Sequence, residues 1–134
     1  MTAWLHRLVV HLPIGLLVTG VLVRAHARWR GRVLPDTRVM MAVGVAGAWL
    51  ACLTGLVHAW VLLREGGLAD PSLRALAIWH LGLSFGAAWV FSAVLWLTPR
   101  RAADAGARLC PYLEAFGTIM LLVTAHLGGL LAHG

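Results

Sequence analysis

The chain has 134 residues, 60% of them hydrophobic and only 12% charged, with a mean hydropathy of +0.83, which excludes an ordinary soluble domain. Eleven arginines, no lysine and five acids give a formal net charge of +6. The arginines follow the ends of apolar runs instead of forming a basic face, so the expected surroundings are a lipid bilayer and not a nucleic acid.

Four apolar runs are predicted as helices, at about 4–23, 39–63, 76–98 and 110–132. Each is long enough, at ~1.5 Å per residue, to cross a hydrocarbon layer of ~30 Å. The fold class predicted is all-α: an integral membrane four-helix up-down bundle, a single domain over 1–134. The first run opens "LHRLVVHLP", which places His6, Arg7, His11 and Pro13 where lipid would want apolar side chains. Its charges follow the apolar stretch and no A-x-A site comes after it, so it reads as a retained helix and not a signal peptide. Arg24, Arg28, Arg30, Arg32 and Arg38 lie in or flank the first connection, and Arg100, Arg101 and Arg108 the third. The second connection balances Arg64 and Arg74 against Glu65 and Asp70. The positive-inside rule then puts connections one and three in the cytoplasm, and connection two with both termini outside.

Cys52 falls mid-helix and Cys110 at the start of the fourth run, too far apart in depth for a bridge, so both are expected to pack. Glu114 is expected in the first turn of helix four, where it suits the helix dipole. The tryptophans Trp4, Trp60 and Trp79 fall near the outer interface and Trp29 and Trp96 near the inner one, as membrane anchors do. Trp49 and Trp89 lie mid-membrane, where core or lipid packing is expected.

Topology sorts the seven histidines. His26 sits in the arginine-rich connection, and the other six all fall toward the outer side. Counted from the helix ends, His11, His58, His80 and His126 lie ~6–12 Å deep, one on each helix. Ionisable groups inside a bilayer are costly and face the bundle or a cavity, so a shared level of four points to a bound cofactor or metal. Small residues accompany them on a 3.6-residue period: Gly15 beside His11, Gly55 beside His58, Ser84 and Ala87 beside His80, Gly129 beside His126. Such faces leave room for a flat macrocycle, and equally let membrane helices pack closely. The spacings 11 to 80 and 58 to 126 are 69 and 68 residues, which suggests two pseudo-symmetric hairpins. In that arrangement helices one and three are diagonal, as are two and four.

The opening "LHRLVVHLPIGLL" resembles the first helix of a bacterial family of small four-helix membrane proteins of unassigned function, which typically reads H-P-x-x-V-H-F-P-I. The resemblance extends over the whole chain to His80 early in the third helix and to the closing "GGLLAHG". It carries over to His6, His11, Pro13, His80, Gly128, Gly129 and His133. Arg7 stands where the family often has proline and Leu12 where it often has phenylalanine, and His58 and His126 have no counterpart in its pattern. Members look linked to electron transfer, some alongside c-type cytochrome domains. The resemblance thus implies a bacterial protein with a redox role; together with the positive-inside topology it gives the expectation of a multi-pass inner-membrane protein with periplasmic termini.

Two neutral imidazoles on opposite faces of a haem iron make a low-spin electron carrier. The expected cofactor is haem b, one or two, with copper or zinc as the alternative. No C-x-x-C-H is present for covalent attachment, the methionines lie away from the histidine level, and no carboxylate accompanies it. His11 and His80 are the first expected ligand pair, on the diagonal and on the resemblance, and His58 and His126 the second. His6, about 140° round the helix from His11, and His133 would serve an outer haem, a propionate or a docking partner. The expected role is an electron-transfer subunit more than an independent enzyme. It would work between a periplasmic c-type cytochrome or dehydrogenase subunit and quinone or another membrane subunit. The rivals are a copper- or zinc-binding or ion-handling membrane protein and a non-redox membrane anchor.

Overall fold

The computed structural model of the chain describes residues 2–98 and 106–133, with side chains over 9–98 and 108–132. Expectations placed on the side chains of Trp4, His6, Arg7, Arg100, Arg101 and His133 lie outside that description. Among the described residues four helices follow in order: α1 Thr2–Trp29, α2 Arg38–Arg64, α3 Pro71–Leu97 and α4 Gly106–His133. All four are long and apolar enough to cross a membrane, and the chain is a multi-pass, all-helical bundle.

Each helix is longer than its apolar run, because polar stop signals and not hydropathy set its ends. α1 continues through Arg24 and Arg28 and is closed by Gly31 at φ 60°. There the Arg32 amide donates to the Ala27 carbonyl at 2.9 Å and the Gly31 amide to Arg28 at 3.0 Å, the paired bonds of a Schellman stop. Gly66, at φ 78°, closes α2 in the same way, with the Gly67 amide on the Leu62 carbonyl at 2.9 Å. A left-handed residue without a Cβ is needed at both places. α3 starts at an Asp70 cap followed by Pro71 at the first helical position. The Asp70 carboxylate accepts from the Ser72 amide at 2.8 Å and the Ser72 hydroxyl at 2.9 Å.

The helices run up and down, and the two sequence hairpins, α1–α2 and α3–α4, are the closely packed pairs. Glycines set the approach within each. A Cβ at Gly44 would stand 2.8 Å from Leu17, one at Gly20 2.7 Å from Met41, and one at Gly47 3.3 Å from Pro13. Pro13 therefore does more than interrupt a helix: its buried ring seats on the Gly47 gap of α2. In the second hairpin Gly86 takes Met120, and Gly117 takes Phe91 and Val90. The hairpins join through α2 and α3, where Trp49 donates its indole N–H to Ser92 Oγ at 3.1 Å and meets Phe85 and Trp89 edge-on. Trp49 is thus a core residue, and its polar atom is satisfied.

The close-packed core comprises Leu17, Met41, Val45, Ala48, Cys52, Ala87, Ala88, Phe91, Val94 and Leu121. It fills the middle and the end of the bundle that carries the α1–α2 connection, here the arginine end. Toward the opposite, histidine end the side chains on the facing helix sides are mostly half-buried. Between 17% and 28% of each span is buried within the chain, so the remaining apolar faces are left for lipid.

Gly44→Val should destabilise the bundle by about 1–3 kcal/mol, because fully buried Leu17 has nowhere to retreat. Gly15→Ala, which meets nothing within 4 Å, should be neutral or slightly stabilising; thermal unfolding in detergent compares the two. The Ser72 amide, and then its hydroxyl, hold the Asp70 carboxyl below its usual pKa. Its contribution is therefore complete above the unfolded value of about 3.9 and fades as pH falls through the lower folded value. Asp70→Asn should remove that acid dependence, read as the change in unfolding temperature between pH 7 and pH 3.

Candidate functional site

The direction of each histidine follows from the buried stripe of its helix. On α1 that stripe is Pro13, Leu17, Gly20, Arg24 and Ala27. His11 lies about 160° away from it and is exposed. On α4 the stripe is Cys110, Glu114, Gly117, Leu121 and Thr124, and His126 is again about 160° off and exposed. His58 is half-buried on the flank of α2. Among the histidines whose side chains are described, only His80 stands on the centre line of its stripe, in register with Ser84, Ala87 and Phe91. The small residues expected to line a site beside His11 and His126 turn outward with them: Gly15 and Gly129 meet nothing within 4 Å.

Depth also departs from the expected common layer. Gly20 faces Met41, Gly44 faces Leu17 and Gly47 faces Pro13, so His11 stands opposite residue 49 or 50 of α2. That is eight or nine residues short of His58, ~12–14 Å by helical rise. Trp49, packed against Phe85, Trp89 and Ser92, puts residue 58 level with about residue 80. His80 meets Thr124 and Gly128, which straddle residue 126. The shared level is therefore made by His58, His80 and His126, and on α1 it passes eight or nine residues before His11. His80 and His126 stand at the same height, with His126 turned outward, whereas His11 and His58 differ in height. The spacings of 69 and 68 residues belong to the sequence and not to a symmetric site.

His80 is held in a defined way. Its Nδ1 lies 3.0 Å from the Thr124 carbonyl across the α3–α4 contact. A carbonyl only accepts, so Nδ1 carries the proton and, in the neutral ring, Nε2 carries the lone pair. Gly128 makes the approach possible, since a Cβ there would stand 2.9 Å from His80 Cε1. Beside it the Thr124 hydroxyl is buried with no partner among the described residues. An imidazole tied by one nitrogen to a backbone carbonyl, with the other available, is the usual posture of a metal-ligating histidine. Among the described residues no three of His, Cys, Asp and Glu converge closely enough to hold a metal ion.

The second polar feature was not legible as a site. Glu114 is not in the first turn of α4: the helix begins at Gly106, and Glu114 sits in the third turn, 1% exposed. Its Oε2 accepts from Arg28 Nη1 at 2.6 Å, and Arg24 Nε stands 3.1 Å from Oε1, close enough for strong attraction but off the hydrogen-bonding line. Arg24, itself 4% exposed, also donates through Nη1 to Thr98 Oγ1 at 3.1 Å. Arg38 Nη2 donates to the Thr98 carbonyl at 2.6 Å. All four helices thus meet in one charged knot at the arginine end. The signal for it was present as the lone acid inside the fourth apolar run, matched to arginines that the helix carries inward and not out into a loop.

In comparisons with protein-family models, curated proteins and solved structures, nothing matches this chain. The family resemblance rests on its short motifs.

Glu114→Gln strands two guanidinium groups beside an uncharged amide and should cost about 3–5 kcal/mol, read as thermal unfolding in detergent. Replacing Arg24, Arg28 and Glu114 together by apolar residues of similar volume should recover most of that loss.

Proposed function

We propose that the chain is a membrane-bound b-type cytochrome subunit in which His80 is an axial ligand of haem iron. The observation that carries this reading is the His80 imidazole: on the bundle-facing stripe of α3, fixed through Nδ1 to the Thr124 carbonyl, and left with Nε2 as its lone-pair nitrogen beside Gly128. His58, half-buried at the same level on the adjoining helix, is the favoured second ligand within one chain. The diagonal pairs His11/His80 and His58/His126 each include an outward, exposed histidine, so they are less suited to one iron inside a monomer. His11 and His126 are left to a partner or to a second haem at the bundle surface.

Haem b supplies reversible one-electron transfer when bound. The chain's own contribution is to orient the ligand ring and to exclude water. Gly128 lets α3 and α4 close on the His80 ring, the Thr124 carbonyl fixes its tautomer and basicity, and the core below it seals the site from the arginine end. With every candidate ligand toward one end, the chain suits a relay between a periplasmic redox protein and quinone or another membrane subunit in a bacterial inner membrane.

The test is a dithionite-reduced minus oxidised spectrum of the detergent-purified protein, with a pyridine haemochrome assay for stoichiometry. Sharp α and Soret bands lost in His80→Ala, and shifted by Gly128→Val with the haem retained, would support the assignment. Loss in His58→Ala but not in His11→Ala would fix the pair. A protein left colourless by haem-replete cells overturns the cytochrome reading.

A further inference from the structure

We infer that the arginine end of the bundle is a binding site for the phosphodiester of an anionic phospholipid, held by Arg28 and Arg38. The argument starts from charge. Among the described residues that end carries Arg24, Arg28, Arg30, Arg32, Arg38 and Arg108 against Asp36 and Glu114, six cations to two anions. Arg24 is turned inside the protein, 4% exposed, with Nε beside Glu114 and Nη1 on Thr98, and so is out of reach of an outside ligand.

Arg28 and Arg38 are anchored but unfinished. Arg28 gives Nη1 to Glu114 and remains 27% exposed. Arg38 gives Nη2 to the Thr98 carbonyl and is half-buried, and Asp36 engages its backbone amide and not its guanidinium. Each guanidinium therefore keeps nitrogens with no partner among the described residues, while its own position is fixed by a bond of 2.6 Å. Their anchors, Glu114 and Thr98, are both reached by Arg24, so the two forks belong to one cluster. Spare guanidinium donors suit phosphate oxygens, and the fixed anchors spare much of the ordering cost of binding.

The surroundings say which phosphate. Trp29 and Trp96, exposed by 80% and 85%, stand at the same end, and exposed indoles of this kind mark the headgroup level. The helix faces below them are apolar, with Leu22, Val23 and Val39 exposed. A phosphate arriving here is tethered to acyl chains that these faces accept, and basic pockets between helix ends are a recurrent setting for anionic lipid heads. The site is independent of the haem reading.

The experiment titrates the delipidated, detergent-purified full chain with phosphatidylglycerol, phosphatidylcholine or inorganic phosphate, reading lipid occupancy by native mass spectrometry. Phosphatidylglycerol is expected to bind roughly tenfold more tightly than phosphatidylcholine, with inorganic phosphate failing to compete at lipid concentrations. The preference should fall to about twofold or less in Arg28→Gln/Arg38→Gln, and should survive Arg30→Gln/Arg32→Gln. Arg38→Gln alone, which keeps both Glu114 ion pairs, should already weaken it if the double variant does not fold. Equal binding of the two lipids, a preference untouched by Arg38→Gln, or displacement by inorganic phosphate overturns the inference.

Discussion

The arrangement of the molecule depends on a carboxylate that cannot be left alone. Glu114 is nearly sealed from solvent, and a charge taken that far from water is tolerable only beside opposite charge. Arg24 and Arg28 supply it from α1, so the rotation of both helices is fixed together. His11 lies thirteen residues before Arg24, about 140° round the helix, and His126 twelve residues after Glu114, about 120° round. Once the ion pair is inside, those two histidines are turned from the core. The knot at one end of the bundle thus determines what the other end can do.

The two ends differ in kind. At the arginine end, charge, hydrogen bonds and the dense packing around Phe91 and Leu17 coincide, and four helices are held at once. At the histidine end the described contacts include His80 on Gly128 and on the Thr124 carbonyl, within the second hairpin.

Much of the fold was legible and the reasons are specific. Four apolar runs of membrane length gave four helices, and up-down order gave hairpin neighbours. The ends were misplaced where hydropathy was read in preference to capping: Asp70-Pro71-Ser72 is a helix start that precedes the apolar run, and Gly31 a stop that follows Arg24 and Arg28. Of the candidate site, the level was legible for His58, His80 and His126, because their helices run nearly in step. His11 was misjudged in depth because counting from helix ends assumes ends at a common height, and the Gly44 and Gly47 contacts set α1 against α2 differently. Which histidine faces inward was not legible from glycine neighbours, since small residues serve a cofactor, a tight helix contact or an open lipid face equally well.

The partners in the charged knot are also far apart in time. Glu114 follows Arg24 by ninety residues, an interval of roughly 5–20 s at the usual pace of synthesis. Until α4 is threaded, the first hairpin carries two inward arginines with no counter-charge, and water or lipid heads must solvate them at the membrane border. Insertion of the last helix is then the event that neutralises the first, so a chain truncated before Glu114 leaves a biogenesis intermediate with two unpaired intramembrane charges.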